Sequence, residues 1–591
     1  MRLAAHWRAM FAVAAVLAVG VAGCGGGDDD STSEQPAQNN TAPQEAKKGG
    51  DLTVMYAGDV DNIDPGITYY QYGFMVTYAT QRPLYSYKPD DAINPEPDLA
   101  EGPPEISDDG KTLTVKIRPG VKFSPPVNRE VTTKDVKYAI ERAFTKNVNG
   151  PYVGAYMSDI DGVKEFQDEK ADEISGITTP DDQTIVFKMS RPRAAIVAGA
   201  LSLPVSAPVP KEYAKKFDDA KGASQYGNNQ AFTGPYMIEN DASGKLTGYT
   251  PGSVIKLVRN PNWDESTDYK PAYADSITIK EGNDAQVASR QILEGESMIS
   301  GDFQLPGQIL ARTSQGDEKD QLVLTPPTGR FRYIALKNTT KPFDDVNVRK
   351  ALSAAFDRDA LRKAFGGELV GKIPTHWIPP GQPGYEEAGG DAGPGVDFLK
   401  SETGDLELAK EYMKKAGFES GMYDGGKTFT GVSDNATQQK AVSETAVQQF
   451  AKLGFKVDMK YVTRDAMYTK YCQVPRDQPD VCPSVGWLKD FADPETLLDP
   501  VFNGKNILDV GNSNFSLLDN PDTNKLMDDA EIVNDPTERN KAWGEVDKAI
   551  TEQAPSIAWL WDTQPMLVSK NVAPVVNQSN ASFDLAFTSL K

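Results

Sequence analysis

Between Thr428 and Tyr461 the chain changes hydrophobic period twice, and this constrains its fold more than any other stretch. Thr428-Phe-Thr-Gly-Val432 reads as a strand, and residues 436–453 read as a helix that Gly454 ends. Phe455, Val457, Met459 and Tyr461 then alternate with Lys456, Asp458 and Lys460 as a second strand. Strand, helix and strand with short connections form a βαβ unit, because neighbouring parallel strands need a crossover and the helix supplies it. The predicted fold class is therefore α/β.

Other elements agree with that class. Leu113, Val115 and Ile117 alternate with polar residues over 111–118, the pattern of a half-buried strand. Thr132-Thr-Lys-Asp135 reads as a capping box ahead of a helix carrying Val136, Ala139, Ile140 and Ala143. Thr184–Lys188 and Ile277–Ile279 read as further strands. Helical spacing recurs in Val348, Leu352, Ala355 and Phe356 after Asp344-Asp345. It recurs again in Leu406, Ala409, Met413 and Ala416, between a cap at Asp405 and a stop at Gly417. No internal repeat or long interior linker is visible, so interleaved domains are expected.

The N-terminus sets the compartment. Arg2 and Arg8 precede a nearly continuous apolar run from Met10 to Ala22. As a helix that run would span roughly 20 Å, short of a bilayer core of about 30 Å, so residues 1–23 read as a signal peptide. It ends in Val21-Ala22-Gly23-Cys24, which resembles the bacterial lipobox, where cleavage falls before a cysteine that becomes lipidated. An ordinary cleavage site with an incidental Cys is the alternative. Residues 25–50 offer almost nothing apolar to bury, so 24–50 reads as lipid anchor and flexible tether, reaching roughly 25–30 Å. Outside the cytoplasm Cys472 and Cys482 can pair as a disulfide closing a short loop; two separate buried thiols are the alternative.

Composition removes several functions. The 591 residues carry 84 acidic and 62 basic side chains, a formal charge of -22, which argues against nucleic-acid binding. Only two histidines and three cysteines are present, so His-rich metal sites are not expected and no cofactor is assigned. His376, in a Pro/Gly-rich stretch, reads as a surface or loop histidine without a nucleophile beside it. Gly421-Met-Tyr-Asp-Gly-Gly-Lys-Thr428 matches a phosphate-loop pattern. It lies in the order helix, loop, strand, and phosphate binding needs the reverse. Asp490 and Asp493 could support carboxylate-dependent hydrolysis, but carboxylates three apart are common in an acidic chain.

Six blocks in order, behind the lipobox-like site, resemble one family. They are Gly50-Asp-Leu-Thr-Val54 with Asn62-Ile-Asp-Pro65, Pro97-Asp-Leu-Ala-Glu101, and Ser107 through Phe123 followed by Thr132–Val136. Phe232–Tyr236 with Leu257–Trp263, Lys337–Phe343, and Val348–Leu352 with Phe356-Asp-Arg358 complete the set. Together they are similar to the extracytoplasmic solute-binding proteins of ATP-binding-cassette importers, in the oligopeptide/dipeptide/nickel class (family 5). One departure is Ser124-Pro-Pro-Val-Asn-Arg129, where the family carries a Gly-containing turn.

The resemblance implies a two-lobed, type II periplasmic-binding-protein fold with mixed sheets, an inserted domain and a hinge between lobes. Matching blocks give lobe I as 51–84, 205–327 and 555–591, the inserted domain as 85–204 and lobe II as 328–554. The crossings fall near Arg330 and Pro555. The implied function is that of a monomeric, non-enzymatic receptor, lipid-anchored at Cys24 on the outer face of the bacterial cytoplasmic membrane. It would bind di- or oligopeptides between its lobes and deliver them to the permease and ATPase subunits of an importer.

Gly486-Trp487-Leu-Lys-Asp490-Phe-Ala-Asp493-Pro494 is similar to the segment that pairs an aspartate with the ligand's α-amino group. That role maps to Asp490, with Trp487 as rigid apolar surface beside it. A helix cap or local salt bridge is the alternative for Asp490, core filling for Trp487, and Asp493 reads as a helix cap. The loop Tyr69-Tyr70-Gln71-Tyr72 is expected to form the opposite wall, with loop packing as the alternative. An oligosaccharide ligand, stacked on Trp377, Trp487 and Tyr70, is the competing reading.

Overall fold

The computed structural model describes residues 46–591 other than Asp59 and Thr328. The signal-peptide and Cys24 readings lie outside the described residues. The tether expected to run to residue 50 is already docked by Lys47. Lys47 bridges to Leu590, Lys48 pairs with Glu265 at 2.6 Å, and Gly49 N–H reaches Tyr273 O at 2.8 Å. The body therefore starts a few residues earlier than composition suggested.

Two six-stranded mixed sheets carry the lobes. In the first, Asp51–Met55 lies between Met298–Ser300 and Ser276–Lys280, parallel to both. Val254–Arg259 and Tyr236–Ile238 continue it antiparallel, and Tyr249–Thr250 pairs with Val254–Arg259. In the second the order is Gly371–Lys372, Ser556–Asp562, Arg330–Leu336, Val481–Leu488, Thr428–Asp434 and Lys456–Val462. Its last two strands are parallel and joined by the Thr437–Ala451 helix, as the sequence period required, and Gly454 follows at φ 87°. A four-stranded sheet of Glu105–Ile106, Thr112–Lys116, Thr184–Lys188 and Ile177–Thr178 organises a third body with its own apolar core.

Local chemistry explains the helix starts. The Asp135 carboxylate accepts the Thr132 N–H at 2.8 Å, completing the capping box of Thr133–Ala143. Asp345 caps Val346–Ala355 and Asp405 caps Leu406–Lys415, through Asn347 N–H at 2.7 Å and Leu408 N–H at 3.0 Å. The phosphate-loop-like stretch runs from the Leu406–Lys415 helix into the Thr428–Asp434 strand, and its Lys427 pairs with Asp480 at 3.0 Å. His376 is in a loop but not at the surface. It is 1% exposed, with Nδ1 3.0 Å from Asp547 Oδ2 and Nε2 3.2 Å from Gly390 O.

The two connections between the large sheets run side by side. Thr325 N–H donates to Gln564 O at 3.2 Å, and Gln564 N–H donates to the Thr325 hydroxyl at 2.8 Å. The strand Ser556–Asp562 hydrogen-bonds to Arg330–Leu336 and Gly371–Lys372, so it belongs to the second sheet. The return crossing therefore falls at Thr563-Gln564, not near Pro555. All seven residues of that strand are buried, so its sequence alone fits either sheet.

Candidate functional site

Asp490 sits just past the Val481–Leu488 strand, where the second lobe meets the third body. Its side chain is half-buried there. The Tyr156 hydroxyl, from the Pro151–Tyr156 helix, donates to Asp490 Oδ2. Burial pushes the Asp490 carboxyl from 3.8 to about 7, against the pull of the Tyr156 hydrogen bond and the Lys489 charge. Lys489 is itself buried and pulled down to about 7, mainly by burial. Its ammonium turns away, to the carbonyl of Ser579 at 2.8 Å. Asp490 is therefore left with a phenol and no ion-paired cation.

Aromatic rings wall this carboxylate. Tyr156 meets Phe491 edge-on at 5.0 Å, Tyr69 stacks on Tyr152 at 4.9 Å, and Tyr69 lies 6.4 Å from Trp487. Burial first, then the Asp490 charge, raises the Tyr69, Tyr152 and Tyr156 hydroxyls well above their ordinary range, so all three stay protonated donors. Tyr152 and Tyr156 went unread in the sequence, though Pro151-Tyr-Val-Gly-Ala-Tyr156 places two tyrosines four apart behind a Pro at the first helical turn.

Asp61 holds the loop ahead of the Gln71–Thr80 helix. Its carboxylate accepts the N–H of Tyr69 at 2.5 Å and of Tyr70 at 3.2 Å. Tyr69 is half-buried toward Trp487, and Tyr70 is 36% exposed. Gln71 departs from its expected role. Its amide nitrogen donates to the carbonyls of Asn580 and Ala581 at 2.7 and 2.6 Å, and its oxygen accepts from Arg330, so the side chain fastens the lobes and has no donor left for a ligand. Tyr72 packs edge-on against Tyr56 at 5.4 Å, and its hydroxyl accepts from Gln564 at 2.5 Å, beside the crossing.

Trp487 is 8% exposed and its indole N–H donates to Thr496 O at 2.7 Å; Trp377 is 3% exposed. Both lie in the same buried aromatic cluster of the second lobe, so neither offers the open face that sugar stacking needs. Asp493 caps the Glu495–Phe502 helix through Glu495 N–H at 2.9 Å and is gripped by Arg539 at 2.7 and 2.8 Å. Asp490 and Asp493 thus answer to different partners and form no dyad. Cys472 and Cys482 are joined by a disulfide between the Tyr468–Cys472 turn and the Val481–Leu488 strand. Among the described residues no cluster of His, Cys, Asp and Glu could hold a metal, and no helix is long and apolar enough to cross a membrane.

Residues 94–509 match the family described as bacterial extracellular solute-binding proteins, family 5 Middle. Among curated proteins, Di/tripeptide-binding protein 1 of Pseudomonas aeruginosa (strain UCBPP-PA14) is 27% identical over 468 residues, covering 78% of this chain and 79% of that one. The Dipeptide-binding protein of Escherichia coli (strain K12) is 27% identical over 464 residues, covering 77% and 78%. The solved structure of Clavulanic acid biosynthesis oligopeptide binding protein 2 superposes with a TM-score of 0.78 at 26% identity, covering 92% of this chain and 96% of that one. The fold is the two-lobed α/β architecture of the periplasmic binding proteins, and the chain belongs to the family 5 bacterial extracellular solute-binding proteins.

Proposed function

We propose that this chain is a peptide receptor. It binds short peptides in the cleft beside Asp490 and passes them to the permease and ATPase of an ABC importer. The observation that carries the reading is Asp490 itself, a half-buried carboxylate where the second lobe meets the third body, facing tyrosines, with its neighbouring ammonium engaged elsewhere. A ligand α-ammonium supplies the missing cation, and a charge-assisted pair is stronger in an enclosed cleft than in open water. The peptide-binding relatives named above support the same assignment. The Tyr69-Tyr70 edge completes the pocket, and the buried Trp487 backs Tyr69 at 6.4 Å.

In this reading one lobe comprises 51–84, 205–327 and the chain beyond Thr563, the inserted domain 85–204, and the other lobe the residues between the crossings. The lobes close by hinging at the crossings, and the protein works as a monomer held to the membrane through Cys24, without catalysis. Mass spectrometry of material released from denatured, natively purified protein tests the ligand class. Peptides are expected; a sugar in their place overturns the reading.

A further inference from the structure

A cavity of about 280 Å³ opens in the second lobe beyond the Gly371–Lys372 strand, the edge of the second sheet. Two strands, Ser556–Asp562 and Arg330–Leu336, separate that edge from the strand leading to Asp490. The volume lies at the lower edge of the range that ligand pockets occupy. One wall is the loop of residues 389–395, held in place against Thr375. The Thr375 hydroxyl donates to Gly390 O at 3.0 Å, and Gly393, at φ 69°, packs so closely that an added Cβ would lie 2.8 Å from the Thr375 Cβ.

Arg358, the first residue of the Arg358–Phe365 helix, lines this cavity and is 1% exposed. Nη1 donates to Pro374 O at 2.6 Å, and Nη2 donates to Leu399 O at 2.6 Å and Ser401 O at 3.1 Å. Nε is buried and meets no acceptor. Among the described residues the guanidinium has no ion pair, and Glu402, whose charge reaches it, is itself exposed. Burial pulls Arg358 from 12.5 down to about 10. A buried cation held by neutral carbonyls alone is costly, and an anion beside it offsets that cost.

Lys400 adds a second cation at the exposed rim, while Pro374, Pro394 and Val396 supply apolar lining. The acids of the lining do not fill the anion's place. Asp391 accepts the Tyr385 hydroxyl at 2.8 Å and pairs with Lys372 at 3.9 Å, and Glu402 stands in solvent, where screening weakens its charge. We propose that this cavity is a second ligand site, separate from the interlobe cleft, that takes a small organic carboxylate. The ligand's charge answers Arg358 and Lys400, and its hydrocarbon part rests on the prolines. The site stands whether or not the cleft binds peptides.

Saturation-transfer NMR titrations on the full chain test this with isovalerate, benzoate and N-acetylproline, each against its amide. At least one acid is expected to bind, with its amide weaker by about tenfold or more. Replacing Arg358 would also free three carbonyls, so the variants are made at exposed lining residues instead. Ala392→Trp should fill the cavity, and Lys400→Glu should reverse the charge of its rim. Each should weaken the acid by about tenfold or more while the melt followed by circular dichroism stays that of the unsubstituted protein. Carboxylates held in the interlobe cleft instead would bind both variants as before. The proposal is overturned if none of the three acids binds, if acid and amide bind equally, or if binding survives either variant.

Discussion

Arg193 of the third body and Glu495 of the second lobe face each other as a buried bidentate pair. Nη1–Oε2 is 2.9 Å, Nη2–Oε1 is 2.5 Å, and the two side chains are 3% and 2% exposed. Arg193 also donates to the carbonyl of Glu531 at 3.0 Å, and Arg191 reaches the Glu531 carboxylate at 3.2 Å. Next to this cluster Tyr156 bonds Asp490, and Gly199 packs so closely on Phe491 that an added Cβ would lie 2.5 Å from its ring.

These contacts join bodies that a hinge at the crossings would part, so the pair should act as a latch on the closed form. Arg193→Gln leaves Glu495 still paired with Arg539 at 2.6 Å, so the variant should fold. We expect it to enlarge the ligand-free radius of gyration in small-angle X-ray scattering. It should also weaken peptide binding by roughly 3- to 30-fold without touching the ligand, since closure then costs more. Unchanged scattering together with unchanged affinity would contradict the latch.

Asp490 should trade stability for binding. Its carboxyl is raised from 3.8 to about 7, so the folded, ligand-free protein holds a proton there that the unfolded chain has released. Stability from this group is therefore lost as pH rises from about 4 to 7. Asp490→Asn removes the charge and should stabilise the ligand-free protein by roughly 1–3 kcal/mol at pH 8, with the gain vanishing near pH 4. Thermal melts across that range check it; a destabilised variant at pH 8 would contradict it.

The same group predicts proton release. An incoming ammonium favours the ionised carboxylate, so peptide binding near pH 6 should expel a proton and weaken as pH falls below about 7. Calorimetry in buffers of different ionisation enthalpy reads this directly. A binding enthalpy independent of buffer would count against an Asp490–ammonium contact.

The Cys472–Cys482 bond closes a loop across ten positions and ties the Tyr468–Cys472 turn to the strand that carries Trp487. Loop-closure entropy gives it about 2–3 kcal/mol. The Cys472→Ala/Cys482→Ala double variant should melt a few degrees lower, as circular dichroism would show. An unaltered melting temperature would mean the bond constrains nothing.

How much of this was legible depends on the range of each interaction. The Thr132/Asp135 box and the parallel pair around Thr437–Ala451 rest on neighbours within a few dozen residues, and their pattern is visible in one dimension. Gln71 misled because the groups that consume its amide, Asn580, Ala581 and Arg330, lie hundreds of positions away. His376 is buried by Asp547, 171 positions on, which no local pattern announces. Asp490 was found through a motif, but Tyr156, which holds it, lies 334 positions earlier.

Peptide binding in this cleft turns on whether Asp490 receives an ammonium. Calorimetry of trialanine and N-acetyl-trialanine on the unsubstituted protein and on Asp490→Asn tests it most directly. We predict that Asp490→Asn weakens trialanine by about 2 kcal/mol or more, roughly 30-fold. Acetylation should weaken it comparably on the unsubstituted protein and add little on the variant. Equal trialanine affinity for both proteins would contradict the central claim.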